Sequence, residues 1–331
     1  MTSLSSVKLS MLDLVHIRTN HDAADAIADS VAVARHAEWL GFERFWLAEH
    51  HNLDGIASSA TAVLVGHIAG HTSRIRVGSG GIMLPNHPPL VVAEQFGTLA
   101  TMYPDRIDLG LGRAPGTDQD TMRALRRRPE DGADFPDQVQ QLQRLLGPAQ
   151  HGQKLMAIPG AGTEVPIWLL GSSLFSAQLA AQMGLPYAFA SHFAPRMMVE
   201  AAQLYRHQFR PSAVLNEPYL MVGVPAIVAD TDEKAAFLAT TPQQKVLSLL
   251  RGDTRMLQPP VTDMARLWLP HEQNGVESFL GAAVVGSPER VAHKLEVLLA
   301  RTGANELMIV SDIYEQDARH HSLSLLAGLI E

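Results

Sequence analysis

The chain has 331 residues, 46% of them hydrophobic and 18% charged, a composition typical of a soluble globular protein with a large core. Its formal net charge of -8 is scattered along the sequence, which argues against nucleic acid or an anionic membrane as a partner. Cysteine is absent, so disulfides, thiolate nucleophiles and cysteine metal sites are excluded and a cytoplasmic location is expected. Neither a signal peptide nor a membrane span is expected, because no stretch approaches about 18 uninterrupted apolar residues.

Apolar, β-rich segments alternate with helical patterns along the whole chain, which is typical of repeated βα units. The pattern predicts strands at 7–14, 43–48, 74–84, 106–111, 166–170, 185–190, 219–228 and 306–311. It predicts helices at 22–40, 58–71, in the segment ending at 102, and at 136–146, 174–183, 195–209, 230–250, 287–303 and 317–329. Each strand is thus followed by a helix, and eight is the number of strands at which a parallel sheet closes without edges.

We therefore predict an α/β fold consisting of a single (β/α)8 barrel over residues 1–331. Insertions are expected after the fourth strand (113–134), before the fifth (148–164) and after the seventh (251–283). The last insertion has no clear period, and a loop of that length in a barrel is usually functional, so a lid is expected there. An open, doubly wound sheet is the alternative that periodicity alone allows.

The active site of such a barrel lies at the carboxyl ends of its strands. His50 and His51 follow the second predicted strand, and adjacent side chains on an extended backbone point to opposite sides. One of them can therefore face the pocket and transfer a proton near neutral pH. The alternative is that both imidazoles only satisfy hydrogen bonds at the strand end. Met83, Phe193 and Trp268 are candidate apolar walls of the pocket, or else core residues.

A phosphate site is indicated where the fifth strand enters a helix, at Gly171, Ser172, Ser173 and Ser176. Free backbone N–H groups and the helix dipole favour an anion there, although N-capping explains any single serine equally well. Arg113, just past the fourth strand, supplies a planar cation for the same phosphate.

Glycines at 78, 80 and 81 in an apolar strand suggest the close approach of a flat ligand, or else a barrel corner. No metal site is predicted. His67 and His71 share a helical face, but they have no third ligand nearby, so a helix surface is favoured.

The sequence resembles the bacterial luciferase family of flavin-dependent monooxygenases along nearly its whole length. The segments that carry the resemblance are GFERFWLAEHHN (41–52), IRVGSGGIMLPNHPP (75–89), RIDLGLGRAPGTD (106–118), PIWLLGSS (166–173), GLPYAFASHF (184–193) and VVGSPERVAHKL (284–295). Within the family the chain is most similar to luciferase-like oxidoreductases of unassigned substrate. By this resemblance, His50 lies beside the flavin and assists proton transfer. Arg113 and the serines at 172, 173 and 176 fall on phosphate-binding positions, although luciferase has an acidic residue in place of Ser172.

The resemblance further implies a non-proline cis peptide between Gly80 and Gly81, under the flavin ring. It implies that a separate reductase supplies reduced FMN, which reacts with O2 so that one oxygen atom enters a small organic substrate. The family also dimerises through the helices after the second and third strands, and small residues between 57 and 70 permit close packing, either there or within one subunit. A deazaflavin-dependent oxidoreductase of the same fold and a non-catalytic flavin-binding dimer are the alternatives.

Overall fold

Eight parallel strands close into a barrel in the computed structural model, which describes residues 4–114, 118–127, 132–253 and 256–330. Nine strands are described: β1 Lys8–Asp13, β2 Arg44–Leu47, β3 Arg76–Met83, β4 Ile107–Gly112, β5 Ile167–Gly171, β6 Tyr187–Phe189, β7 Leu220–Val228, β8 Val284–Gly286 and β9 Glu306–Val310. Strands β1 to β7 and β9 form the ring, in which β1 pairs with β9 and β6 pairs with β7. This closure rules out the open sheet and confirms the predicted (β/α)8 barrel.

Helices surround the ring, and most of them connect consecutive strands. They are α1 Ala23–Trp39, α2 Thr61–His71, α3 Pro89–Met102, α4 Gln119–Ala124, α5 Phe135–Leu146, α6 Leu174–Met183, α7 Met198–Gln208, α8 Asp232–Leu250, α9 Pro270–Phe279, α10 Pro288–Thr302 and α11 Gln316–Ala327. None of these helices has the length and apolar character needed to cross a membrane.

Local sequence signals explain several helix boundaries. The Asp22 carboxylate accepts a hydrogen bond from the backbone N–H of Asp25, and the backbone N–H of Asp22 donates to the Asp25 carboxylate, a capping box that starts α1. Gly184 and Gly303 end α6 and α10 in the left-handed conformation, where a Cβ atom is unfavourable.

Three connecting segments differ in detail from the prediction. The strand Val284–Gly286 was not predicted; among the described residues it pairs with β7, and it lies outside the ring. The 251–283 segment contains α9 and a 3-10 turn at Met264–Arg266. The helix predicted from about 58 begins at Thr61, and the buried Ser58 hydroxyl donates to the carbonyl of Leu14, just after β1.

The barrel interior is filled by apolar side chains in its middle layers. Leu12, Trp46, Trp168, Met221 and Met308 come from five different strands and are all buried there. A much larger apolar layer lies between the outer face of the barrel and the helices. The interior is therefore a packed core, and ligand space is available only toward its ends.

The amino end of the barrel is closed by a buried ion network. Arg44, the first residue of β2, donates to Glu306 and to Asp108, each at 2.8 Å. Asp108 also accepts from Arg76 at 2.7 Å and from the Trp46 indole at 3.2 Å. Burial opposes the charge of Arg44, but the two carboxylates raise its pKa above the ordinary value. Each of these buried charges is thus matched by an opposite one, which leaves the carboxyl end for ligands.

Candidate active site

The two adjacent histidines after β2 belong to different clusters, as their alternation predicted. His51 Nε2 lies 2.8 Å from Glu49 Oε1, and His87 Nε2, from the turn after β3, lies 2.8 Å from the same oxygen. The backbone N–H of Met83 donates to Glu49 Oε2 at 3.0 Å. Burial would raise the pKa of Glu49, but these hydrogen bonds lower it to about 2. Glu49 is therefore an anion that ties the loop after β2 to the turn after β3.

Glu49, His51 and His87 could also hold a metal ion, since their ligand atoms all lie within 4.8 Å of one another. Two imidazoles and a carboxylate are ordinary zinc donors. The sequence pattern did not predict this grouping, because His87 joins the other two only through the fold. His67 and His71, the pair that was considered, are both exposed, and His71 Nδ1 donates to the His67 carbonyl at 2.8 Å.

His50, the predicted proton-transfer residue, is largely buried and lies on the opposite side of the backbone from His51. Burial lowers its pKa to about 4, and the positive charges of His16 and Lys245 act in the same direction. His50 is therefore a neutral imidazole near neutral pH, and it can accept a proton from a nearby group.

A second cluster of charged groups forms around Asp312, shortly after β9. The Lys245 ammonium, from α8, donates to one carboxylate oxygen of Asp312. His16 Nε2, from the loop after β1, lies 3.2 Å from the other oxygen. Burial would raise the pKa of Asp312, but Lys245 and His16 hold it well below its usual range. Asp312 is therefore an anion throughout the physiological pH range.

His192, shortly after β6, is the second imidazole held neutral at this end. Its Nδ1 is buried and has no hydrogen-bond partner in the described part of the chain. The ring fits only because residue 223 on β7 is glycine, since a Cβ atom there would lie 2.6 Å from Nδ1. Burial lowers the pKa of His192 to about 3, and the charge of Lys245 lowers it further than Asp312 raises it.

A cavity of about 290 Å³ lies against this cluster, between β7, α8, α9 and β8. Its polar end is formed by His192, Lys245 and Asp312. Its walls are apolar and include Phe193, Ile227, Val246, Phe279 and Leu280. Of the predicted apolar walls, Phe193 lines this cavity, whereas Trp268 packs into a small cluster beneath it and Met83 does not contribute.

Residues of the predicted phosphate site lie together at the amino end of α6. The guanidinium of Arg113 lies 4.1 Å from the ring centroid of Phe175, in the first turn of that helix. Ser172 and Ser173 are exposed beside it, and the Ser173 side chain makes no capping hydrogen bond. Their hydroxyls, the free N–H groups of the helix and the Arg113 cation thus remain available to an anion, as a flavin phosphate requires.

Ser176 and Gly171 lie deeper in the protein than the other two predicted serines. The Ser176 hydroxyl donates to the Ser173 carbonyl at 2.9 Å and lies 3.1 Å from the Tyr187 hydroxyl. A Cβ atom at residue 171 would lie 2.2 Å from that Ser176 oxygen. In this geometry Ser176 supports the turn that presents Ser172 and Ser173.

The peptide between Gly80 and Gly81 is cis, as the resemblance implied. Crowding explains both glycines. A Cβ atom at 80 would lie 2.6 Å from Leu12, and one at 81 would lie 2.7 Å from the Gly110 carbonyl. Contacts within the protein are therefore sufficient to explain both glycines, in line with the barrel-corner alternative.

Besides His87, four residues of the site were not found from the sequence: His16, His192, Lys245 and Asp312. Three of them follow barrel strands directly or within a few residues, which is a signal that could have found them. Lys245 lies on a helix, and its sequence neighbourhood gives no such signal.

Comparison with known proteins agrees with this architecture. The family described as luciferase-like monooxygenase matches residues 7–306. A luciferase-like monooxygenase of Escherichia coli (strain K12) is 50% identical, and the match covers 98% of each chain. The crystal structure of apo-MsnO8 superposes with a TM-score of 0.91 at 38% identity, covering 98% of each chain.

More distant solved structures share the fold. The oxygenating constituent of 3,6-diketocamphane monooxygenase from Pseudomonas putida, in complex with FMN, has a TM-score of 0.73 at 17% identity and covers 97% of each chain. An F420-dependent secondary alcohol dehydrogenase has a TM-score of 0.70 at 14% identity, with 98% and 99% of the two chains covered. From the match over 7–306 and the 50% identity, the chain belongs to the luciferase-like monooxygenase family.

Proposed function

We propose that this protein is a flavin-dependent monooxygenase that binds FMN at the mouth of the barrel and oxygenates a small organic molecule. The observation that carries the proposal is the arrangement at the amino end of α6. Arg113 packs over Phe175 there, beside Ser173, the N-cap residue, whose side chain makes no capping hydrogen bond. The FMN complex of the diketocamphane enzyme, which shares the fold, supports the choice of FMN. A deazaflavin is the alternative cofactor, because an F420-dependent dehydrogenase shares the same fold.

In this proposal the bound reduced flavin supplies the electrons that activate O2. Arg113 and the first turn of α6 hold the phosphate and so fix the position of the cofactor. Gly80 and Gly81 leave this part of β3 without side chains. His50, neutral near pH 7, accepts or returns a proton at its imidazole nitrogen. The apolar walls next to this mouth limit the access of water.

The test is a comparison of FMN, riboflavin and F420 in fluorescence titrations of the purified protein. FMN should bind more tightly than riboflavin, because only FMN carries the phosphate. Arg113→Ala should weaken FMN binding by about 10- to 100-fold and leave riboflavin unchanged, which is the usual range for a hydrogen bond to a charged group. Arg144→Ala, which removes an exposed arginine of α5, is the matched control. Equal affinity for FMN and riboflavin would refute the phosphate site, and binding of F420 alone would select the deazaflavin alternative.

His50→Ala separates catalysis from binding. The variant should keep the FMN affinity of the parent and turn over more slowly with reduced flavin and O2, because the proton acceptor is lost. Turnover at the parent rate would remove His50 from the mechanism. Absence of any oxygen consumption by the parent, with a broad panel of organic substrates, would favour a non-catalytic flavin-binding protein.

A separate flavin reductase and a second copy of the chain are the proposed partners. The dimer proposal is supported by exposed apolar side chains on α2 and α3, namely Val63, Val91 and Met102. The small residues predicted to serve that interface also pack within the subunit, since Gly66 lies against Leu99 of α3. The segment 251–283 is proposed as the lid, because Phe279 and Leu280 form one wall of the cavity.

A further inference from the structure

The cavity beside β7 has a polar end that its own surroundings do not satisfy. An ammonium group has three N–H donors, and Asp312 is the only hydrogen-bond acceptor that the described residues offer to Lys245. The Lys245 side chain is partly exposed and lines the cavity, so its remaining N–H donors are open to a ligand there. Nδ1 of His192, in contrast, is buried against Gly223.

The position of the ion pair directs its positive member toward the cavity. The Lys245 side chain is 28% exposed, whereas Asp312 is 10% exposed. One oxygen of Asp312 accepts from Lys245, and His16 Nε2 lies 3.2 Å from the other. The carboxylate is thus turned into the protein and the ammonium outward, so a ligand in the cavity meets the cation first.

The pKa values of the neighbouring histidines also indicate that positive charge dominates at this end of the cavity. The charge of Lys245 lowers the pKa of both His50 and His192, and for His192 it outweighs the opposing effect of Asp312. The other charged lining residues, Glu277 and Lys294, are exposed at the rim. The buried end of the cavity therefore favours negative charge.

The remaining walls set the body of the ligand. They are apolar and come mainly from Phe193, Ile227, Val246 and Phe279. A volume of about 290 Å³ equals that of roughly ten water molecules in the liquid, which suits a molecule of roughly ten to twenty non-hydrogen atoms. The cavity lining includes neither Arg113 nor the serines at α6, so this space is distinct from the anion site there.

We infer that this cavity binds the substrate, and that the substrate is a monoanion with an apolar body, its carboxylate received by Lys245. The identification of the ligand as substrate rests on the proposed function, whereas the preference for a carboxylate rests on the cavity alone. Desolvation makes a buried ion pair a poor source of stability. A role in ligand binding accounts for its position at an otherwise apolar wall.

The test is calorimetric titration with octanoate, octanol and octylamine, with and without saturating FMN. Octanoate should bind at least about tenfold more tightly than octanol, and octylamine should not bind measurably. Lys245→Met should abolish the preference for octanoate. Lys234→Met is the matched control, because it makes the same change at an exposed position on the same helix and should alter nothing.

A second variant, which should keep its octanoate affinity, shows whether loss of binding in Lys245→Met could be due to misfolding. Asp312→Asn keeps the shape of the side chain and releases Lys245 from its counter-ion, so octanoate should bind at least as tightly as in the parent. Equal affinities for octanoate and octanol in the parent, or unchanged octanoate binding in Lys245→Met, would overturn the inference. Lys245-dependent octanoate binding in a protein that does not bind FMN would instead preserve the carboxylate site and refute the proposed function.

Discussion

Protonation of His192 should destabilise the fold at mildly acidic pH. Burial lowers the pKa of this imidazole from 6.5 to about 3. The unfolded chain therefore takes up a proton at this residue as the pH falls below about 6.5, whereas the folded protein does not. The stability contributed by His192 is complete above that pH and is lost progressively toward pH 3.

The magnitude follows from the width of the pH interval. Each pH unit in this range costs about 1.4 kcal/mol per histidine, so a fall from about pH 6.5 to about pH 5 costs about 2 kcal/mol. His192→Asn removes the titrating group and should remove this share of the acid sensitivity. Contributions from groups distant from His192 cancel when the variant is compared with the parent.

The assay is urea unfolding of parent and variant at about pH 7 and about pH 5. The free energy of unfolding of the parent should fall by about 2 kcal/mol more than that of His192→Asn between the two conditions. His207→Asn, at an exposed position on α7, is the matched control and should behave like the parent. The same pH dependence in parent and His192→Asn would show that this imidazole titrates normally, and the electrostatic description of the barrel mouth would be wrong.

Three further outcomes are expected. Arg44→Met should lower the free energy of unfolding in urea by about 3 to 5 kcal/mol, because it leaves Asp108 and Glu306 buried beside an apolar side chain, and FMN affinity should change little. Gly80→Ala should lower the melting temperature in calorimetry, because its Cβ atom would meet Leu12 at 2.6 Å, and an unchanged melting temperature would contradict the packing. Val63→Glu should shift the mass measured by light scattering from dimer to monomer, and a mass that stays dimeric would place the interface elsewhere.

The barrel itself could be predicted from the sequence because its strands fall in apolar segments that alternate with helical patterns. The strand that was missed, Val284–Gly286, lies outside this alternation. It belongs to the inserted segment between α8 and α10 and pairs at the edge of β7, so no βα unit marks it. Helix α9 has a single buried residue, Val276, and therefore no helical period, although Pro270 at its start was a usable signal.

The candidate site likewise contains residues that could be predicted from the sequence and residues that could not. His50, Arg113 and the serines at α6 lie in short segments whose order and composition are informative on their own. The cluster around Asp312 is assembled from residues that are distant in the sequence, and Lys245, 67 positions from Asp312, reaches it from the middle of a helix. Sequence reasoning can place a residue at the end of a strand, but only closure of the barrel decides which strand ends meet.

The two ends of the barrel treat buried charge in opposite ways, and this contrast locates function without reference to any relative. At the amino end, Arg44, Asp108 and Glu306 satisfy one another, so that layer closes the barrel and leaves no donor for a ligand. At the carboxyl end, the partly exposed Lys245 has one hydrogen-bond acceptor, Asp312, among the described residues and lines an apolar cavity. A cation with unused donors at an apolar wall is the kind of group that an anionic ligand would pair with. We therefore attribute the polar residues of the first layer to stability and propose ligand binding for Lys245 in the second.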